Sequence, residues 1–322
     1  MIIITGGAGF IGSNIVKTLI KNGKKDLVIS DYKRLNNNFI SSSDLINVRM
    51  VPPDSLSKFI ISTKKNIESI VHMGAVTDTT EKNINKVLDN NYYFSMKLFD
   101  FCADYDIKLI YASSASTYGD GNMGFEDKSN SKYLSTLKPL NAYGWSKHFF
   151  DRRVVRLFEE RKKFLKNWAG LKFFNVYGPN ESHKQRQSSV IFQMVESISN
   201  GRPITLFKSD NPEYGDGMQK RDFVFVDDCV SVITWLLGKD EFAGIFNVGT
   251  GSARSFLDIA TVVSKVMKIP LNVNWIDTPE SLRKHYQYFT EAKLSNLRSI
   301  GYNKNFSTIE EGIKKYIEGY LL

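Results

Sequence analysis

The chain opens on Ile2-Ile3-Ile4-Thr5 and runs at once into Gly6-Gly7-Ala8-Gly9-Phe10-Ile11-Gly12. No other stretch limits the possible folds as tightly. The apolar, β-branched run reads as a buried strand. Ile15, Val16, Leu19 and Ile20 then recur at helical spacing. Between them Gly6, Gly9 and Gly12 keep the spacing G-x-x-G-x-x-G. A glycine turn joining a strand to a helix lets the backbone approach a pyrophosphate, and the helix aims its first N–H groups at the anion. A second apolar run, Leu27-Val28-Ile29-Ser30, ends at Asp31. That is about 20 residues on, where an acid can bond a ribose hydroxyl. A dinucleotide-binding strand–turn–helix is therefore expected at the N-terminal end.

The first half continues to alternate. Strands are expected at 2–4, 27–30, 68–72 and 107–112, and helices near 12–22, 54–65, 83–104 and 143–165. Such alternation predicts an α/β fold with a doubly wound parallel (Rossmann) sheet. Leu171 to Val176 reads as a further strand. Beyond it come a loop over 178–187, a helix near 188–200 and a polar stretch over 209–220. Short strands at 223–226 and 245–248 and helices near 255–267 and 307–320 follow. No repeat or low-complexity linker appears. The expected organisation is a dinucleotide-binding domain over 1–172, to which 219–247 and about 279–293 return. A smaller, interleaved α/β substrate-binding region would take up most of 173–322.

At 322 residues and 42% hydrophobic the chain can bury a large core, and no run reaches the length of a membrane span. The glycine loop begins at Gly6 and leaves no room for a signal peptide, so a cytoplasmic location is expected. Cys102 and Cys229 lie in helical patterns, and reduced thiols are expected there. The net charge of +9 is dispersed apart from Arg152 to Lys166. Those cations alternate with Val154, Val155, Leu157, Phe158 and Phe164, which reads as a solvated helix face. No nucleic-acid module is visible. The surplus of positive charge suits a substrate carrying a diphosphate. His72, His148, His183 and His285 have no metal-ligand spacing, and neither a P-loop nor a G-x-S-x-G elbow occurs. No metal is expected.

Tyr143 and Lys147 form Y-x-x-x-K, with Gly144-Trp145-Ser146 between them. On a helix these positions share a face, and an ammonium below a phenol favours the phenolate. A free tyrosine titrates near 10, so work near neutrality asks for roughly 3 units, or about 4 kcal/mol. Earlier, Tyr111-Ala112-Ser113-Ser114-Ala115-Ser116 closes a predicted strand. A hydroxyl there lies at the carboxyl edge of the sheet, where ligands bind. Ser114 is the expected hydrogen-bond partner of a reacting oxygen.

Taken in order, T-G-G-A-G-F-I-G, Asp31, the Ser113–Gly119 segment, Y-x-x-x-K, Phe174-Asn175-Val176-Tyr177-Gly178-Pro179 and Arg221-Asp222-Phe223-Val224-Phe225-Val226 resemble the extended short-chain dehydrogenases/reductases that act on nucleotide sugars. The resemblance runs nearly end to end. Within that group the chain is most similar to ADP-L-glycero-D-manno-heptose 6-epimerases. Asn14-Ile15-Val16-Lys17, Thr79-Thr80-Glu81, Asp89-Asn90-Asn91-Tyr92, His183-Lys184 and Tyr286-Gln287 carry this closer likeness.

The resemblance implies epimerisation at C6 of ADP-D-glycero-β-D-manno-heptose by transient oxidation and re-reduction, with no net redox change. It makes Tyr143 one acid/base and Lys184 the second. Lys147 would orient the cofactor ribose and acidify Tyr143. Phe10 and Ile11 would flank the pyrophosphate. Tyr32, Asn38, Met73, Gly74, Ala75, Val76, Thr77, Asn90, Val176 and Lys184 complete the expected cofactor contacts, with His72 read as a packed strand-end residue. Asp31 by itself favours NAD, whereas Lys33 and Arg34 are placed to cradle a 2′-phosphate. NADP is the cofactor implied, with NAD as the alternative, and Asn38 stands where such epimerases usually carry lysine. The substrate positions implied are Ser114, Asn175, Arg186, Gln193, Phe207, Lys208, Ser209, Asp210, Arg221 and Tyr286. Arg186 and Gln193 stand where the family tends to have a small hydroxyl residue and a histidine, and the polar stretch over 211–219 is longer than usual. A homo-oligomer, with a pentamer as one form, is also implied. The alternatives are a UDP- or GDP-hexose 4-epimerase or a 4,6-dehydratase of the same fold, or a cofactor-binding protein without catalysis. Ala115 and Ser116, following Ser114, lack the acid a dehydratase needs, and intact Ser114, Tyr143 and Lys147 speak against a lost site.

Overall fold

Residues of the central strands alternate between two buried faces. Ile2, Ile4, Leu27, Ile29, Val71 and Ile110 enter one apolar cluster, and Ile3, Val28, Ile70, Leu109 and Tyr111 enter another. Strands covered on both sides lose the polar half of the usual alternation, which is why these runs are continuously apolar. The computed structural model describes residues 1–322 apart from 34, 36–38, 42, 47, 162–164 and 284–285, and apart from the side chains at 186, 281 and 282.

The main sheet is built from β1 (Ile2–Thr5), β2 (Leu27–Ser30), β3 (Val48–Val51), β4 (Ser69–His72), β5 (Lys108–Ser114) and β6 (Trp168–Phe173). Two short strands follow, β7 (Asn175–Tyr177) and β8 (Ile204–Phe207). Next come β9 (Lys220–Arg221), β10 (Phe223–Phe225), β11 (Ala243–Val248), β12 (Arg254–Ser255) and β13 (Val273–Ile276). The 7-stranded sheet runs β11-β6-β5-β4-β1-β2-β3. Every pair in it is parallel. This is the doubly wound Rossmann order. The chain leaves β1 toward β2 and β3 and returns on the other side at β4. The crevice outside the carboxyl ends of β1 and β4 is therefore the topological switch point, where such sheets bind ligands.

Helices Phe10–Lys21 and Val226–Leu237 cover one face through Ile15, Val16, Leu19, Val230, Ile233 and Leu236. Helices Phe94–Tyr105 and Ala142–Glu159 cover the other through Leu98, Phe99, Cys102, Phe150, Val154 and Val155. A third cluster joins Tyr177, Ile191, Val195, Leu206, Phe225, Ile259 and Ile313. It is the core of a smaller α/β region. There β7 pairs with β10, β8 with β13 and β9 with β12.

Several elements differ from their sequence pattern. Strand β3 has no apolar run because it is an edge strand: Arg49 and Met50 are exposed and only Val51 is buried. The run 171–176 breaks at Phe174, and its two parts pair with different partners, β6 with β5 and β11, and β7 with β10. The helix expected over 83–104 is interrupted by a π-turn at Asp89–Tyr93. That turn presents Asn91, whose amide accepts from the Val76 N–H (2.8 Å) and donates to the Val76 carbonyl and to Ser146 Oγ. Such π-turns collect at functional sites.

Candidate active site

The three glycines of the first turn do three different jobs. Gly6 has φ +66°, and a Cβ there would lie 2.6 Å from the Gly74 nitrogen. Gly12 packs so closely that a Cβ would lie 2.1 Å from the Gly6 carbonyl oxygen. A Cβ at Gly9 would meet only that same oxygen, at 3.2 Å. Gly9 thus faces open space on its remaining sides, and that space is the cavity. The helix beginning at Phe10 has Gly9 as N-cap, no side-chain cap and no acid in its first turn. Its first N–H groups and dipole remain available to an anion.

The cavity, about 870 Å³, lies at the switch point. Its walls bring together Gly6, Gly9, Phe10, Ile11, Gly12, Asp31, Tyr32, Met73, Gly74, Ala75, Val76, Thr77, Asn90, Val176 and Lys184. Ser114, Tyr143 and Lys147 line the same space. Asn38 and Arg34 lie outside the described residues, while Lys33 is on the wall. Asp31 accepts from the Ala8 N–H and the Lys33 N–H, each at 3.0 Å. A carboxylate offers about four lone-pair sites, so capacity for a ribose hydroxyl remains. Tyr32 is 73% exposed and donates to Asp54. His72 is packed: its ring bridges Thr5 Oγ1 (2.6 Å) and Ser95 Oγ (2.9 Å), and burial lowers it to about 3, so it is neutral.

Asn141 caps the helix Ala142–Glu159 through the Gly144 N–H, which fixes where Tyr143 enters the cavity. Ser114 closes β5 and caps the turn Ala115–Tyr118, accepting from the Ser116 N–H at 3.1 Å. Tyr143 and Ser114 share a hydrogen bond. Burial pushes the Tyr143 phenol above its ordinary value. The Ser114 bond pulls it down and the charge of Asp151 pushes it up. The Ser114 hydrogen bond is thus the influence that opposes burial at Tyr143. Lys147 is 3% exposed. Burial lowers its ammonium to about 8 against the pull of Asp151. A buried amine on a cavity wall, bonded to no described side chain, suits the hydroxyls of a ribose.

Lys184 sits in the turn Ser182–Gln187, with Nζ 5.4 Å from the centre of the Phe10 ring. Burial lowers its pKa, and Glu181 opposes this. Glu181 is fully buried and ties the loop down, accepting from the Gly178 N–H (3.1 Å) and Ser189 Oγ (2.7 Å). The Arg186 side chain lies outside the described residues.

The other substrate candidates gather away from the cavity wall. Arg221, 9% exposed, stacks on Tyr286 and Phe256 at 5.5 and 5.7 Å and donates to the Lys220 carbonyl. Phe207 meets Tyr286 edge-on at 6.2 Å. Asp210 pairs with Arg283 at 3.4 Å, Lys208 with Asp277 at 3.2 Å, and the Ser209 N–H donates to Asp216. Gln287 Nε2 donates to the Gly119 carbonyl, joining this cluster to the turn after Ser114. Asn175 is exposed on β7, and Gln193 Nε2 donates to the Ser188 carbonyl, so neither is brought into the cavity.

Four positions escaped the sequence reading. Asp151 and Lys172 form a fully buried ion pair (3.6 Å) behind Lys147. The available signals were the spacing of four from Lys147 and a lone lysine in the apolar run 168–173. Tyr214 and Tyr288 add rings to the Arg221 cluster, 5.2 Å apart. No group of three or more His, Cys, Asp and Glu suited to a metal occurs among the described residues, and none of the described helices is long and apolar enough to cross a membrane.

Comparison with known proteins agrees with this geometry. Residues 2–249 match the NAD dependent epimerase/dehydratase family. An ADP-L-glycero-D-manno-heptose-6-epimerase of Fusobacterium nucleatum is 42% identical over 100% of this chain and 98% of its own. The structure of the Helicobacter pylori protein of that name superposes with a TM-score of 0.78 at 26% identity, covering 99% of this chain and 95% of that one. MoeE5, in complex with UDP-glucuronic acid and NAD, superposes with a TM-score of 0.77 at 26% identity, over 98% and 97%. The chain belongs to the NAD dependent epimerase/dehydratase family and is an enzyme of the epimerase type.

Proposed function

We propose that this enzyme interconverts ADP-D-glycero-β-D-manno-heptose and its L-glycero epimer at C6, with NADP as its resident cofactor. The observation that carries the reading is the Ser114–Tyr143–Lys147 grouping on one cavity wall, in a chain 42% identical from end to end to a relative of that name. NADP is favoured over NAD by Lys33 on the wall beside Asp31. The fit to a dinucleotide rests on the open flank of Gly9, the uncapped helix N-terminus and the buried Lys147 ammonium on the cavity wall. A bound nicotinamide supplies the hydride acceptor and, later in the cycle, the donor.

The chain's own residues handle protons and position. Tyr143 Oη is the acid/base that exchanges the proton of the hydroxyl on the reacting carbon from one face. Ser114 Oγ holds the same oxygen. Lys147 grips the ribose and keeps a positive charge near the phenol. Bringing Tyr143 down to neutrality asks for more than about 4 kcal/mol, because burial has already raised it. The cofactor's own charge and the Lys147 ammonium are the sources at hand. Lys184, its pKa lowered, serves the opposite face. Arg221 takes the diphosphate through its planar fork. The active form is a homo-oligomer.

Proton NMR of the purified protein with ADP-D-glycero-β-D-manno-heptose, without added cofactor, tests this. Appearance of the L-glycero epimer is expected. No conversion after addition of NADP and then NAD refutes the assignment. In the same assay Tyr143→Phe should lose about 10²–10⁴-fold in turnover and still bind cofactor.

A further inference from the structure

The buried pair behind the site has no role in the chemistry above. Asp151 follows Lys147 by four residues and Tyr143 by eight, so all three share a helix face. Its Oδ1 accepts from the Tyr111 hydroxyl (3.1 Å) and its Oδ2 from Ser113 Oγ (2.6 Å). Lys172 on β6 lies 3.6 Å from Oδ2. The Lys172 ammonium donates to Thr117 Oγ1 (2.8 Å) and sits 4.3 Å from the centre of the Tyr118 ring. Thr117 Oγ1 in turn donates to the Ser114 carbonyl (2.7 Å). A continuous chain thus leads from Asp151 to the backbone of Ser114.

Stability alone does not explain this arrangement. Both members of the pair are fully buried. Desolvation of such a pair offsets its attraction, and apolar replacements of similar volume are often neutral or stabilising. One carboxylate faces two buried ammonium groups, Lys147 and Lys172. Asp151 is the charged group that acts on both Tyr143 and Lys147, while Lys172 acts on Asp151 and on His148. The other titratable neighbours are Tyr111 and Tyr118, which feel Asp151, His72, which feels Lys147, Asp127, which acts on Lys172 and Tyr118, and Arg152, which acts on His148.

We propose that Asp151 is a positioning residue that sets the protonation of the Tyr143–Lys147 pair, with Lys172 holding the Asp151 carboxylate and coupling it to the Ser114 turn. The inference rests on the proposed reading of Tyr143 as an acid/base and of Lys147 as the cation that holds the ribose beside it. Its sign is fixed by charge: a buried carboxylate makes loss of a proton harder at both groups. Removing it lets both titrate earlier.

The test is the pH profile of turnover, together with the pH dependence of cofactor affinity in cofactor-free protein. Asp151→Asn leaves Lys172 buried and unpaired and can fail to fold, so the informative variant is Asp151→Asn/Lys172→Met, which removes both charges. Asp151 acts directly on both groups and Lys172 acts on Asp151, so both limbs of its profile should still move to lower pH, as should the pH at which cofactor affinity falls, but by less than loss of the carboxylate alone would give. If Asp151 only balances Lys172, the double variant keeps the wild-type profile, and the proposal is overturned. Lys172→Met alone frees the carboxylate and should move both limbs the other way. An unmoved profile there also overturns it, and this variant decides the matter if the double variant does not fold. Tyr143→Phe assayed in parallel separates the two readings. If it turns over, the acid/base assignment fails. If it is inactive and the Asp151 profile is unmoved, only this inference fails.

Discussion

Gly9 and Gly12 stand three residues apart in one loop, yet the structure assigns them opposite kinds of necessity. A methyl group at Gly12 would lie 2.1 Å from the Gly6 carbonyl oxygen and 2.8 Å from Gly7 Cα, all backbone. The loop and the helix would have to part by about 1 Å, and overpacking of this kind costs about 1–3 kcal/mol. In a chain of 322 residues each kcal/mol is worth about 1–2 °C, so Gly12→Ala should lower the melting temperature of cofactor-free protein by about 2–5 °C. Gly9 has φ −75°, a value any residue adopts, and its added methyl would meet one oxygen at 3.2 Å. That small strain is set against about 0.4–1 kcal/mol gained by stiffening the unfolded chain. Gly9→Ala should therefore melt within about 2 °C of the wild type. Its methyl group fills the flank turned to the cavity, and the same 1–3 kcal/mol now falls on the ligand, about 10–100-fold in affinity for the dinucleotide. Circular dichroism melts of cofactor-free protein and fluorescence titration with NADP and NAD read the two effects separately. Wild-type cofactor affinity in Gly9→Ala, or an unchanged melt in Gly12→Ala, would refute the steric reasoning.

Other consequences are testable in the same way. Because His72 is held near 3 in the folded protein, well below its ordinary 6.5, the unfolded chain takes up the proton first as pH falls. Its stabilising effect is complete above pH 6.5 and is lost toward pH 3, and His72→Gln should reduce the slope of unfolding free energy between pH 6 and 4 by about 1.4 kcal/mol per unit, measured by urea titration. Arg221→Lys loses the fork and should raise KM for the nucleotide sugar by about 10-fold or more with kcat little changed; an unaltered KM argues against a diphosphate contact. Tyr214→Ala removes one ring from the cluster around Arg221 and should raise KM about threefold to tenfold while leaving cofactor affinity untouched.

Much of the first half was legible because its physics is local. A continuously apolar strand, a glycine turn and a helix signal one another within a dozen residues, and four of the central strands fall within a residue or two of their expected places. What was not legible depends on pairing across the chain. β3 is a strand only because β2 supplies its partner, and β8 and β13 are short strands drawn together from segments far apart in sequence. The site shows the same division. Gly9, Asp31 and Tyr143 belong to motifs that can be read in line. Asp151 meets Lys172 only because β5 and β6 lie side by side beneath the helix that carries it.

The same reasoning bears on substrate choice. A chain of this fold that superposes with a TM-score of 0.77 is seen with UDP-glucuronic acid, so neither the sheet nor the glycine turn selects a sugar. Selection has to reside where the chain builds order outside the sheet. The stretch after β8 does so with short-range bonds: the Tyr214 N–H donates to the Asn211 carbonyl, the Gly217 N–H to the Phe207 carbonyl, and the Ser209 N–H to Asp216. Ion pairs at Lys208 and Asp210 then fasten it to Asp277 and Arg283. One bond, from Gln287 to the Gly119 carbonyl, links the neighbouring segment to the turn that starts at Ser114. A nucleotide held among these aromatic rings would therefore be fixed relative to Ser114 by a rigid local structure and not by the sheet itself. A change of nucleotide preference should come from residues 207–219 and 286–289, with Ser114, Tyr143 and Lys147 left as they are.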